Sequence, residues 1–261
     1  MTFLLPLLAA LPCHAGGFSV VGSLVRENAV DVGGHVEGTI LVRNDSDERQ
    51  QIVVYQRDYR FAADGANDYV DPGTHERSNS AWIKLTPSQL TLEPDETERI
   101  HYRLDVPLDP DLAGTYWSLI MVEPAVVAPL EPPPPGRSVS IRTVVRYAVQ
   151  VVTHVGEGGE GHLSFDRGEL VDEAEETRLS VDIRNVGARL VAPRVWVELY
   201  DGDGRSAGRF DARGRPGLLP GCSARYSVDL AKVPPGAYTA LAVADGGVGG
   251  VFGTEYTVEL R

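Results

Sequence analysis

The stretch that decides the fold is Ile40-Leu41-Val42-Arg43-Asn44, which is followed by a second apolar stretch from Ile52 to Tyr59. The second half of the chain repeats this arrangement with Val181-Asp182-Ile183-Arg184-Asn185, followed by residues 195–201. Each stretch reads as a strand, and the first of each pair closes in a turn at an Asn. Because Asn44 and Asn185 occupy equivalent places in the repeat, we expect both to cap a turn.

A second set of equivalent residues follows the first set in the same order. Residues 92–94, Tyr102, residues 106–107 and residues 114–116 of the first half correspond to residues 219–220, Tyr226, residues 233–234 and residues 236–238 of the second. Almost no segment has the period of a helix, so we expect short helical turns at most. The sequence therefore predicts an all-β fold of two tandem immunoglobulin-like antiparallel β-sandwiches.

The length of 261 residues accommodates two domains of ordinary size. The first residues are apolar and uncharged and end in Cys13-His14-Ala15-Gly16, which predicts a secretory signal peptide over residues 1–15. Lipid attachment through Cys13 is the alternative, which Pro12 and Leu11 disfavour. We expect an exported protein, periplasmic or otherwise secreted, with no transmembrane segment in the mature chain. We assign residues 16–155 to the first sandwich, 156–162 to a Gly-rich linker and 163–261 to the second sandwich.

Several segments of the first domain carry specific predictions. Residues 62–80 are polar and rich in turn formers, which predicts a long surface loop. Residues 117–122 are apolar apart from Ser118, which predicts a central strand. A proline-rich connector at 124–137 leads into a long strand that we expect to cover residues 138–152.

Charge and motifs exclude several functions. The formal charge of −13 argues against binding to nucleic acid or to anionic membranes. The six histidines are scattered without metal-ligand spacing, and the chain has neither a nucleophile elbow nor a phosphate-binding glycine loop. Cys222 is expected to be a small half-buried filler, and Asp201-Gly202-Asp203-Gly204 a hairpin tip, not a calcium loop. The sequence thus predicts no catalysis, no cofactor and no metal.

The order of features in the first domain is more specific. An early strand carries Arg26 and Asn28, and the strand that ends at Asn44 follows it. Residues 82–85, 92–94 and 99–107 come next, and a strand that carries Arg146 follows the proline-rich segment. This order resembles, over roughly residues 18–155, the N-terminal domain of periplasmic pilus-assembly chaperones. The second domain matches only as a generic β-sandwich.

The resemblance implies a mode of binding. In that family a basic residue of the first strand and one of the last strand hold the carboxylate of a client, and apolar side chains of the last strand complete the client's sheet. Arg146, with Arg142 on the same face, matches the last-strand position, while the first-strand position falls at Asn28, with Arg26 two residues earlier. Val139 and Ile141 match the apolar side chains. The resemblance implies that the partner is a secreted or envelope protein subunit, bound by β-strand addition during the assembly of surface fibres. Asn28 departs from the family because it carries no charge.

Alternatives remain open at this point. Val139 and Ile141 also fit an ordinary half-buried strand, and Arg142 and Arg146 also fit its solvated outer face. A different class of function is a structural or adhesive envelope module, since the two domains also resemble the paired domains of Gram-positive surface proteins. That hypothesis places a cell-wall polymer or a host ligand at Trp82, Trp117 and the 62–80 segment. The sequence leaves the oligomeric state undetermined.

Overall fold

The computed structural model describes residues 17–125, 144–173 and 176–261, and within these ranges the chain forms seventeen strands and two single-turn 3-10 helices. The strands build two sandwiches of two sheets each. The prediction of an all-β fold with two tandem sandwiches and short helical turns is confirmed. The predicted signal peptide lies outside the described residues.

Ten strands form the first sandwich. One sheet has the order β1-β3-β8-β6, and the other has the order β2-β10-β9-β4-β5, with β7 also paired to β4. Most pairs are antiparallel, but β10 and β2 run parallel. The strands are β1 (Phe18–Val21), β2 (Val25–Val30), β3 (His35–Asn44), β4 (Gln50–Phe61), β5 (Asn67–Val70), β6 (Ile83–Thr86), β7 (Gln89–Leu92), β8 (Thr97–Asp105), β9 (Gly114–Pro124) and β10 (Tyr147–Val155).

Seven strands form the second sandwich. Its sheets have the orders β11-β12-β15 and β14-β13-β16-β17, and all pairs are antiparallel. The β13–β14 hairpin turns at residues 201–205, where Asp201 Oδ1 accepts the backbone N–H groups of Asp203 and Arg205. The predicted hairpin tip is therefore confirmed. The strands are β11 (Leu163–Glu173), β12 (Glu176–Asn185), β13 (Arg194–Tyr200), β14 (Ser206–Asp211), β15 (Ser223–Asp229), β16 (Gly236–Asp245) and β17 (Val251–Leu260).

The two asparagines of the repeat perform the same task in both sandwiches. Asn44 Nδ2 donates to the carbonyls of Glu48 and Leu92, at 2.7 and 3.1 Å. Asn185 Nδ2 donates to the carbonyls of Arg189 and Leu218, at 2.6 and 2.7 Å. Each Oδ1 also accepts the backbone N–H two residues further on. The predicted turn-capping role is confirmed, and it is performed by fully buried side chains.

Strand β9 is the centre of the molecule, as its apolar sequence predicts. Its first nine residues are all buried, because both faces of the strand are covered. Ile120 and Val122 belong to the core of the first sandwich. Trp117, Leu119 and Met121 face the other way and pack into one apolar cluster that continues into the second sandwich.

Close main-chain approach joins the two sandwiches next to this cluster. The N–H of Thr115 donates to the Ala188 carbonyl at 2.8 Å. Gly114, at φ +96°, precedes it, and a Cβ at that position would lie 2.2 Å from the Ala188 oxygen. Only glycine permits both this conformation and this approach. Cys222 is a filler of the same cluster, as predicted, but it is almost completely buried and not half-buried.

Two strand predictions need correction. The 62–80 segment is not wholly a loop, because β5 pairs with β4 from Asp58–Val70 to Phe61–Asn67. The strand expected over 138–152 is present as β10, which begins at Tyr147 and ends at Val155, so residues 144–146 precede it. Among the described residues, β10 pairs with β9 from Tyr147–Val122 and with β2 from Gln150–Val25, and residues 138–143 lie outside the described residues.

Candidate functional site

The first strand of the chain changes sheets, and this change opens the edge of the other sheet. Strand β1 pairs with β3, whereas β2 pairs with β10 in the opposite sheet. Gly22, at φ +98°, lies at the crossing between them, in a conformation that a residue with a side chain rarely adopts. The N-terminal end of β10 therefore pairs with neither β1 nor β2.

The register identifies the backbone groups that remain unpaired. Gln150 N–H donates to the Leu24 carbonyl at 2.8 Å, and the pairing of β10 with β2 begins at Gln150–Val25. Main-chain groups of alternate residues point to the same edge of a strand, so those of Ala148 point past the end of β2. Among the described residues, none pairs with them. We call residues 144–149, on the side that faces β1, the open rim.

Apolar side chains are exposed around the open rim. Val21, Leu24 and Val25, at the crossing between β1 and β2, are 45%, 41% and 47% exposed, and Val144 is also exposed. The Phe18 and Tyr147 rings meet edge to face at 5.4 Å, which holds β1 beside the start of β10. An unpaired edge with apolar neighbours is the surface to which an extended segment adds as a further strand.

Arg146 lies at the open rim with its side chain largely in solvent. Its Nε is 2.9 Å from a carboxylate oxygen of Glu123 on β9. In the register, Arg26 is opposite Val151. Val151 follows Arg146 by five residues, which places it up to about 16 Å from Arg146 along the strand. The structure does not bring Arg146 together with Arg26 or Asn28.

The structure places Arg26 and Asn28 on one face of β2, as the sequence predicts, and that face points into the sandwich. Arg26 Nη1 donates to the Ser23 carbonyl at 2.6 Å. The amide nitrogen of Asn28 is buried. Burial raises the pKa of Tyr102 on β8, while Arg26 and Asn28 act in the opposite direction. Both side chains therefore border the core near Tyr102. The predicted residues Val139, Ile141 and Arg142 lie outside the described residues.

Sequence reasoning missed a hydrogen-bonded chain on the opposite face of β2. Glu27 Oε1 is 2.8 Å from His154 Nε2, and His154 Nδ1 is 2.9 Å from Thr115 Oγ1. Thr115 Oγ1 also accepts the N–H of Leu190 from the second sandwich at 2.9 Å. The edge strand is thus connected to the second domain. Glu27 lies between Arg26 and Asn28 in the sequence, and strand alternation could have predicted that it points to this opposite face.

The tryptophans named for a carbohydrate site are not displayed as binding surfaces. Trp117 is buried, and its Nε1 donates to the Tyr59 carbonyl at 2.6 Å. Trp82 is partly buried against Tyr116, with ring centroids 4.7 Å apart. Both rings are used in packing, which leaves the wall-polymer hypothesis without the platform it requires.

The described residues also bear on metal binding and on membrane insertion. Within residues 17–125, 144–173 and 176–261, no group of three or more His, Cys, Asp or Glu side chains is placed to hold a metal ion. In the same part of the chain, no helix has the length and apolar character needed to cross a membrane.

The fold and the open rim define a class of protein, namely two joined β-sandwiches of which the first has an unpaired strand end. No family model matches the chain, and no curated protein sequence matches it.

Solved structures match over nearly the whole chain and include the class that the sequence resembles. A chaperone–tip adhesin complex of CFA/I fimbriae is 12% identical with a TM-score of 0.48, covering 92% of this chain and 97% of that chain. The E. coli chaperone DraB is 16% identical with a TM-score of 0.42, covering 94% and 100%. The CsuC–CsuE chaperone–tip adhesion subunit complex of Acinetobacter baumannii is 11% identical with a TM-score of 0.42, covering 94% and 98%. At such identities and TM-scores, these likenesses assign neither a partner nor an activity.

Proposed function

We propose that this chain is an exported, non-enzymatic, chaperone-like protein that binds another polypeptide of the cell envelope by β-strand addition and acts in the assembly of surface fibres. The observation that carries the proposal is the open rim, where the main-chain groups of Ala148 have no partner among the described residues. An added strand supplies the missing partners, and the exposed Val21, Leu24 and Val25 supply apolar contacts.

The charged residues determine how the client is oriented. Arg146 anchors a carboxylate of the client, which competes with Glu123 for the guanidinium. Arg142 adds positive charge, and Val139 with Ile141 provides apolar side chains that alternate along the same segment. Arg26 and Asn28 lie further along β2 on the face that points to the core, so we assign them to packing near Tyr102 and not to contact with the client. A client segment of alternating apolar residues that ends in a carboxylate has the matching chemistry.

The peptide that tests this proposal is drawn from the exported proteins encoded beside this chain. Synthetic 16-residue segments from these proteins are measured for binding by fluorescence anisotropy. We expect at least one alternating segment to bind. Methylation of every second backbone nitrogen should then weaken its binding by ~10-fold or more, because β-strand addition depends on main-chain hydrogen bonds.

The matching variant of the protein is Ala148→Pro, which removes the N–H that faces the open rim and leaves the β9 ladder intact. Ala148→Val is the matched control, since it retains the N–H. We expect the Pro variant to lose binding and the Val variant to retain it. Equal binding by both variants, or indifference to backbone methylation, contradicts strand addition at this rim.

A further inference from the structure

A cavity between the two sandwiches, on the β4 and β9 side of the first, is separate from the open rim. It has a volume of about 320 Å³ and is lined from the first sandwich by Arg60, residues 75–77 and Trp117. The second sandwich contributes residues 184–187 and 220–221. The cavity therefore exists only while the two domains are held together.

The lining is basic although the protein is strongly acidic. It contains the guanidinium groups of Arg60, Arg77 and Arg184, and Glu76 is the one acidic residue among the lining residues. Arg184 pairs with Asp166 at 2.8 Å. The bonds that the structure gives to Arg60 and Arg77 are to backbone carbonyls, those of Gly221 at 2.9 Å and Ala113 at 3.2 Å. Within the described ranges, neither of these two arginines forms an ion pair, so most of their five N–H donors are uncommitted.

His75 adds an unsatisfied polar atom to the same cavity. Its Nε2 is buried and has no hydrogen-bond partner among the described residues. The residue is fixed in place because its backbone N–H donates to Asp58 Oδ2 at 2.9 Å, and Ser78 Oγ donates to Asp58 Oδ1 at 2.6 Å. A buried polar atom without a partner costs roughly 1–3 kcal/mol, and an anion oxygen that reaches Nε2 after a small rotation of the ring, in the tautomer with the proton on that atom, recovers this cost.

From these contacts we infer that the cavity binds a small multivalent oxyanion, held by Arg60, Arg77 and His75 from the first domain and bordered by the 184–187 segment of the second. Guanidinium groups bind the oxygens of phosphate and carboxylate through paired charge-assisted hydrogen bonds. The volume accommodates inorganic phosphate or a small polycarboxylate such as citrate. Because both domains line the cavity, the bound anion also stabilises their interface.

The experiment measures binding of inorganic phosphate and of citrate, in separate arms, by isothermal titration calorimetry at constant ionic strength maintained with sodium chloride. We expect saturable binding of one of them with a Kd of about 1 mM or lower. Arg77→Gln and His75→Phe should each weaken it by ~10-fold or more, since each removes a donor to the anion. Arg99→Gln, a change on the exposed face of β8, is the matched control and should bind as the wild type does.

Two results overturn the inference. One is heat that fails to saturate with either anion in the wild type, which indicates ionic-strength effects alone. The other is unchanged affinity in both Arg77→Gln and His75→Phe. Arg77 also contacts the Tyr116 ring, so His75→Phe, which preserves ring size, keeps the test valid if Arg77→Gln folds poorly. Ala148→Pro should bind the anion normally, which separates this site from the open rim.

Discussion

The buried asparagines of the repeat allow a sharp test of how each sandwich is stabilised. Replacing Asn44 by Ala removes two donated hydrogen bonds to carbonyl groups, one of which, on Leu92, is buried, and also the bond that Oδ1 accepts from the Ser46 N–H. A hydrogen bond contributes about 1 kcal/mol net, and a buried carbonyl left unpaired costs about 1–3 kcal/mol. We therefore expect Asn44→Ala to lower the free energy of unfolding by about 3–5 kcal/mol. Asn185→Ala should cost about the same, since its amide has the same two roles.

The control is the substitution of the same asparagine by Asp, which keeps the size and the acceptor oxygen but removes the N–H donors. If the two donated bonds are what matters, Asn44→Asp should destabilise the protein at least as much as Asn44→Ala. Urea unfolding followed by circular dichroism gives the free energies, and calorimetry shows whether the two domains unfold together. A loss below about 1 kcal/mol for Ala, or near-normal stability for Asp, refutes this reasoning.

Three further predictions concern the interface between the domains. Arg215 donates to Tyr59 Oη at 2.9 Å and stacks on Phe61, so Arg215→Ala should lower the free energy of unfolding by about 2 kcal/mol. In calorimetry the two domains should then unfold in separate transitions, and a single unshifted transition would contradict this. Burial shields Cys222 and raises the pKa of its thiol, so a thiol reagent should react with it at least ~100-fold more slowly in the native protein than in urea. Arg215→Ala should accelerate the reaction of the native protein. Burial lowers the pKa of His75. The stability that the neutral ring contributes is therefore present above its unfolded pKa of about 6.5 and is lost as the pH falls below that value. Urea titrations at pH 5 to 7.5 should show this loss of stability in the wild type and a smaller loss in His75→Phe.

Local patterns predicted most of the strands and the duplication. The alternation that ends at Asn44 and Asn185 identified equivalent strands, β3 and β12, and the apolar run at 117–122 identified the central strand. These features depend on residues close together in the sequence, where period and turn chemistry are decisive. The partner of the outer face of β9 was not predictable, because an apolar face does not specify which distant surface will cover it.

The candidate site was less accessible to sequence reasoning. Only Gly22 and Ser23 separate the apolar pairs at 20–21 and 24–25, so the change of sheets at Gly22 is marked by little besides the glycine itself. That change decides where β10 becomes unpaired, and a register cannot be inferred without knowing it. The basic cavity is formed by residues 60, 75–77 and 184–187, which come from separate turns and strand ends and form no motif.

The most direct test of the open rim is amide hydrogen exchange at single-residue resolution, with and without the bound client segment. In the free protein, the amide of Ala148 should exchange rapidly, while that of Val149, which points to β9, should be protected. Addition of the segment should protect Ala148 and leave Val149 unchanged. An Ala148 amide that is already protected in the free protein, or that remains unprotected when the segment binds, contradicts the proposal that this rim receives a strand.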